Sequence, residues 1–79
     1  MSRVLLFGRL ADVAGWRERT INAVSLDALR SKLAEEDAAL GAALSGPGVQ
    51  TAIDQSLTRG DAALGPDSEV AFLPPMSGG

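Results

Sequence analysis

The most distinctive chemistry of this chain lies at its end. Val70-Ala71-Phe72-Leu73-Pro74-Pro75-Met76 is an apolar, proline-locked run, and Ser77-Gly78-Gly79 follows it directly. Termini ordinarily fray into polar residues, because nothing selects their shape. Here a free carboxylate follows two residues without side chains, which reads as a chemical handle built to enter a narrow slot. A carboxylate is a poor acyl donor until it becomes a mixed anhydride, and adenylation by ATP in another protein's pocket achieves that. Gly78 and Gly79 suit such a pocket because they lack a Cβ and let the backbone approach closely. Pro74 and Pro75 fix their φ angles, stiffening the root of the tail and reducing the entropy lost on insertion. From Pro75 to Gly79 the chain reaches at most about 17 Å, at roughly 3.4 Å per residue. That is deep enough for a cleft while the globular body docks outside.

Side-chain chemistry is sparse elsewhere. The chain has no Cys and no His, so the two side chains most used near neutral pH are missing, and no zinc or disulfide framework is possible. The ten carboxylates are scattered. Their densest group, Glu35-Glu36-Asp37, is consecutive, so its members point in different directions. No serine has an evident base beside it, and the glycine spacings match neither a phosphate-cradling loop nor a dinucleotide fingerprint. A carrier without catalytic side chains, binding no metal or cofactor of its own, is therefore expected rather than an enzyme. The net charge of −3 and the dispersed Arg3, Arg9, Arg17, Arg19, Arg30, Lys32 and Arg59 argue against a nucleic-acid surface. No apolar stretch approaches a membrane span, and the opening lacks the features of a signal peptide. A cytoplasmic location is expected.

Seventy-nine residues with 46% apolar content make one domain that must be held by packing alone. Arg3–Phe7 reads as a first strand, and Arg17–Asn22 as a second, joined in a hairpin by a connection containing Gly8 and Gly15. Ser25 opens the clearest helix. Leu26, Leu29 and Leu33 recur at helical spacing, Asp27 lies in the first turn, and Val24 with Leu29 fits a hydrophobic staple. A short second helix fits Asp37–Leu44, stopped by Ser45-Gly46-Pro47-Gly48. Val49–Ile53 reads as a strand, Asp54-Gln55 as a tight reversal into Ser56-Leu57-Thr58, Leu64–Ser68 as a turn, and Glu69–Leu73 as the last strand. The economical packing is α+β: a mixed sheet with one main helix across one face. Residues 1–73 form the domain and 74–79 an extended tail.

Alternation assigns the faces. Val4 and Leu6 share one side of the first strand, and Val70 and Phe72 one side of the last. These uncharged sides are expected to meet Leu26, Leu29 and Leu33. The opposite side then presents Leu5, Phe7 and Leu73, joined by Leu57, as an apolar patch of the kind that marks a partner surface.

At this point the residues resemble a known family. Val4-Leu5-Leu6-Phe7-Gly8-Arg9-Leu10-Ala11-Asp12-Val13-Ala14-Gly15 is similar to the opening of the molybdopterin synthase small subunit (the MoaD family), and Asp67 through Gly79 resembles its closing motif more closely still. Ala52-Ile53-Asp54-Gln55 fits a strand turning, and the double proline separates the pattern from related thiamine-pathway carriers. The resemblance implies a ubiquitin-like β-grasp with first and last strands adjacent and parallel. It implies that an ATP-dependent activating enzyme adenylates Gly79 and that a sulfur donor converts the adenylate to a thiocarboxylate. The large synthase subunit, in a heterotetramer, then passes the sulfur to cyclic pyranopterin monophosphate. By position, Gly78 fits the channel, Pro74, Pro75, Met76 and Ser77 lead into it, and Phe7, Leu57 and Leu73 dock. Asp54 and Asp67 stand where asparagine and glycine are common, so turn shape is the point of departure; a left-handed backbone at Asp67 would be costlier than at Gly. The alternatives are a protein modifier joining Gly79 to lysines, a non-covalent interaction module, or a carrier serving thiamine synthesis or tRNA thiolation.

Overall fold

Two strands from opposite ends of the chain meet at the centre of the sheet. The computed structural model describes residues 1–75, which form β1 (Ser2–Leu6), α1 (Arg9–Ala14), β2 (Glu18–Ile21), α2 (Leu26–Glu36), α3 (Ala38–Leu44), β3 (Gln50–Ile53), β4 (Ser56–Thr58) and β5 (Glu69–Leu73). The strands lie in the order β2-β1-β5-β3-β4. β1 and β5 run parallel, with Val4 opposite Val70 and Leu6 opposite Phe72, and the other three pairings are antiparallel. The parallel pair therefore occupies the interior of the sheet, as the resemblance implied.

The face assignment holds. Val4, Leu6, Val70 and Phe72 are buried in one cluster with Leu26, Leu29 and Leu33 of α2 and Leu40 and Leu44 of α3. Burying a side chain of this size contributes about 1.5–3 kcal/mol. This single layer of helices over a sheet is what holds a chain with no covalent cross-link. Ser25 caps α2, its Oγ accepting from the Ala28 amide at 3.1 Å. Asp37 ends α2 and caps α3, accepting from the amides of Ala39 and Leu40. A guanidinium pins β2 to the end of α2: Arg19 donates to Glu36 at 2.9 Å and lies over the Trp16 ring. That hydrogen bond, and the charge behind it, hold the exposed Glu36 carboxyl below its ordinary range.

Two expectations are corrected. The β1–β2 connection is not a simple hairpin loop but contains α1, whose Leu10 is buried in the core. Six residues with one fully buried position give too short a pattern for periodicity to reveal. Val24 forms no staple on Leu29, because it is 78% exposed. Residues 62–64 run beside the start of α2, with the Leu26 amide donating to Ala62 O and the Leu64 amide donating to Val24 O. That pairing turns the Val24 side chain outward. The left-handed backbone considered for Asp67 does not arise: among the described residues, positive φ at non-glycine positions occurs at Asp54 and Gln55. Asp67 instead follows Pro66 within a Gly65–Ser68 turn, where the Ser68 amide donates to Gly65 O.

The Asp54-Gln55 reversal is as tight as expected, with φ of 50° and 70°. Two successive positive φ values match the primed turns that suit hairpin twist. The Asp54 side chain also reaches β5, accepting from the Glu69 amide at 2.9 Å. Gln55 has no such compensation, and left-handed backbone costs a residue with a Cβ about 1–2 kcal/mol. Gln55→Gly removes that strain and adds about 0.4–1 kcal/mol of unfolded-state entropy. A net gain is expected, raising the thermal midpoint by a few degrees, about 4–8 °C per kcal/mol at this size. A lowered midpoint in a calorimetric scan would contradict the strain assigned to Gln55.

Candidate functional site

The tail leaves the fold from its most central strand. β5 ends at Leu73, opposite Gln50 of β3, and Pro74 and Pro75 continue it without regular structure. Pro74 is half-buried and Pro75 exposed. A shallow groove beside them is lined by Arg9, Leu10 and Val13 of α1, by Ala43 of α3 and by Pro47 and Val49. The expected handle and channel residues Met76, Ser77, Gly78 and Gly79 lie outside the described residues.

The expected docking residues lie on the sheet face opposite α2. Phe7 follows β1, its amide donating to Phe72 O at 3.3 Å, and it is 45% exposed. Leu73 is half-buried at the end of the neighbouring strand. Leu57 is 64% exposed on the edge strand β4, so it is not beside Phe7 but across the sheet from it. The register supplies the link. Leu5 is opposite Ala71, Ala71 opposite Ala52, and Ala52 opposite Leu57, giving one apolar row across four strands. Alternation along β5 places Ala71 on this face with Glu69 and Leu73, but the sequence alone puts neither Ala71 nor Ala52 in the patch, because the link between them is a matter of strand register. Their size matters, however, since it keeps the middle of the row flat.

Charge on the same face lies at the starts of β1 and β5 and on the edge strand β2, whose Glu18 stands opposite Leu5. Arg3 pairs with Glu69 at 3.1 Å and with Glu18 at 3.4 Å. The face thus divides into an ionic part, at the starts of β1 and β5 and along β2, and an apolar part where β1 and β5 end. The apolar part is the one from which Pro74 departs. Among the described residues, no group of three or more His, Cys, Asp or Glu side chains is arranged to hold a metal ion. No helix among them is long and apolar enough to cross a membrane.

A mixed five-stranded sheet with a parallel central pair and one covering helix layer defines the ubiquitin-like β-grasp. The model of the ThiS family matches residues 4–79, and the chain belongs to that family of ubiquitin-like sulfur carriers. No curated protein matches the chain. Solved structures do. The crystal structure of SAMP1 from Haloferax volcanii is 23% identical with a TM-score of 0.85, over 99% of this chain and 98% of that one. The solution structure of small archaeal modifier protein 1 from Methanosarcina acetivorans is 22% identical with a TM-score of 0.87, over 99% and 95%. At such identity the likeness shows the shared fold.

The two phenylalanines separate the two faces experimentally. Phe7→Glu is expected to melt close to the parent, since substitutions at exposed positions stay within about 0.5 kcal/mol. Phe72→Ala, at a position with no exposure, is expected to lose about 3–5 kcal/mol. Comparable losses in urea titrations of the two variants would invalidate the assignment of Phe7 to an open face.

Proposed function

We propose that this ThiS-family chain is the sulfur-carrying small subunit of molybdopterin synthase, with the Gly79 carboxyl as the group that is modified. The observation that carries this reading is the coincidence of tail and patch. Pro74 and Pro75 leave the domain at the same end of β1 and β5 where Phe7 and Leu73 present apolar surface. A partner seated on that surface receives the tail without the domain having to reorient. The double proline after the last strand and the opening Val4–Gly15 segment support the molybdenum-pathway assignment within the family.

In this cycle the Gly79 carboxylate attacks the α-phosphorus of ATP on an activating enzyme, and pyrophosphate leaves. A sulfur donor then displaces AMP from the acyl carbon, leaving a thiocarboxylate. In the large synthase subunit that sulfur passes to cyclic pyranopterin monophosphate, and water returns Gly79 to the carboxylate. The chain contributes a docking face, a stiff tail root and a terminus without side chains. The catalytic groups belong to its partners, which are the activating enzyme, the sulfur donor and the large subunit of the heterotetramer.

The fold shared with small archaeal modifier proteins makes conjugation of Gly79 to lysines the second reading. One experiment separates the two. The protein is incubated with ATP, a cognate activating enzyme and a sulfur source, and its intact mass is measured. Replacement of one carboxyl oxygen by sulfur, followed by molybdopterin formation with the large subunit, supports the carrier. Higher-mass conjugates that survive reducing denaturation support the modifier. Removal of Gly79 is expected to abolish either outcome, and its retention of full activity would exclude both.

The docking face gives an independent prediction. Phe7→Glu places an unpaired charge in the interface and is expected to weaken binding to the large subunit at least about tenfold, equivalent to about 1.4 kcal/mol. Unchanged affinity by calorimetry, with the circular dichroism of the parent, would move the interface elsewhere.

A further inference from the structure

We propose that Gly8 and Gly48 are positioning residues that set the direction in which the tail leaves the domain, an inference that rests on the carrier reading. They come from the two strands that flank β5: Gly8 lies just after β1, and Gly48 shortly before β3. Each closes on one of two successive prolines. A Cβ built on Gly8 would lie 3.0 Å from Pro74 Cγ, and one built on Gly48 would lie 2.7 Å from Pro75 Cβ. The second approach is closer than side-chain carbons tolerate, and Pro75 Cβ is fixed to the backbone by its ring. Rotation of a side chain cannot relieve it, so backbone must move, at Pro75 or at the segment that carries Gly48. Because proline φ is locked, a shift at Pro75 changes the direction of everything beyond it.

Both glycines also have positive φ, 56° and 81°, so backbone conformation alone favours Gly at these positions. The structure supplies its own control. Gly15 and Gly60 have φ of 81° and 72°, yet a Cβ on either meets nothing within 4 Å. They share positive φ with Gly8 and Gly48 without touching a proline, although Gly8, at ψ −131°, lies outside the left-handed helical region of Gly15. A substitution at Gly60 therefore reports conformational strain alone, whereas one at Gly48 reports strain plus displacement of the tail root. Asparagine is the substituent of choice, because among residues with a Cβ it enters positive φ most readily.

The test compares Gly48→Asn with Gly60→Asn in two readouts. The first is the set of Cα–Hα residual dipolar couplings, which is independent of any partner. Gly48→Asn is expected to change the couplings of Pro74 and Pro75 and leave those of β1 and β5 in place, while Gly60→Asn changes neither. The second is adenylation by the activating enzyme, followed as pyrophosphate release. A misplacement of about 1 Å can lower a rate by up to about a hundredfold. The kcat/KM for Gly48→Asn is accordingly expected to fall about tenfold or more, and that for Gly60→Asn to stay within about twofold. Adding Pro75→Gly, which removes the opposing Cβ, is expected to lower the rate of Gly48→Asn by less than it lowers the rate of the parent.

Equal behaviour of the Gly48 and Gly60 variants in both readouts, or strict multiplicativity with Pro75→Gly, overturns the proposal. If Gly48→Asn does not reach the parent's circular dichroism, the cycle of Gly8→Ala with Pro74→Ala decides by the same criterion, since it deletes the ring carbon facing Gly8. A parent protein that no activating enzyme adenylates would instead defeat the carrier reading, and the dipolar couplings would still decide whether Gly48 steers Pro75.

Discussion

The parallel pairing of β1 with β5 is the constraint on which the rest of the structure depends. It joins residues 66 apart in sequence, as in the Arg3–Glu69 contact at 3.1 Å, and sets Val4, Leu6, Val70 and Phe72 side by side under the helices. Each of those four needs the other strand to complete its burial. A one-residue slip of β5 against β1 would turn Glu69 inward and expose Phe72, so the hydrophobic pattern admits one alignment. Once that alignment is made, the positions of the apolar row, the ionic end and the tail root all follow from it.

The same pairing explains how a domain of this size would hold the proposed carrier tail without loosening its core. β5 is flanked by β1 on one side and β3 on the other, so the strand preceding the tail is hydrogen-bonded along both edges. A tail attached to an edge strand would transmit each pull to a weakly held element. Here the load falls on the best-anchored strand, and the two prolines follow it directly.

Much of this was readable in the sequence, and for identifiable reasons. The alternation in Arg3–Phe7 and Glu69–Leu73 gave the faces, and the Leu26-Leu29-Leu33 spacing gave the covering helix, because both signals are local and periodic. Asp54-Gln55 was readable as a reversal because turn chemistry is local too. α1 was not, since Leu10 is its one fully buried residue and the glycines on either side imitate a plain turn. Val24 was misassigned because residues 62–64, distant in sequence, decide which way it points. The glycine–proline contacts were equally invisible, as nothing in a sequence says that Gly48 will lie against Pro75. In the site, the residue types of the tail and patch were legible, whereas the Ala52–Ala71 bridge between Leu5 and Leu57 required the register of three strand pairs.

The wide separation of β1 and β5 along the chain also orders events in time. Contacts between distant segments form late, because a long loop must close before they are rewarded. Until β5 has been made and docked, β1 has no parallel partner and the centre of the sheet is missing. The segment that completes the fold is the one that bears the tail, so an unfinished chain lacks both together. Completion of the central sheet and arrival of the segment that follows β5 are thereby a single event.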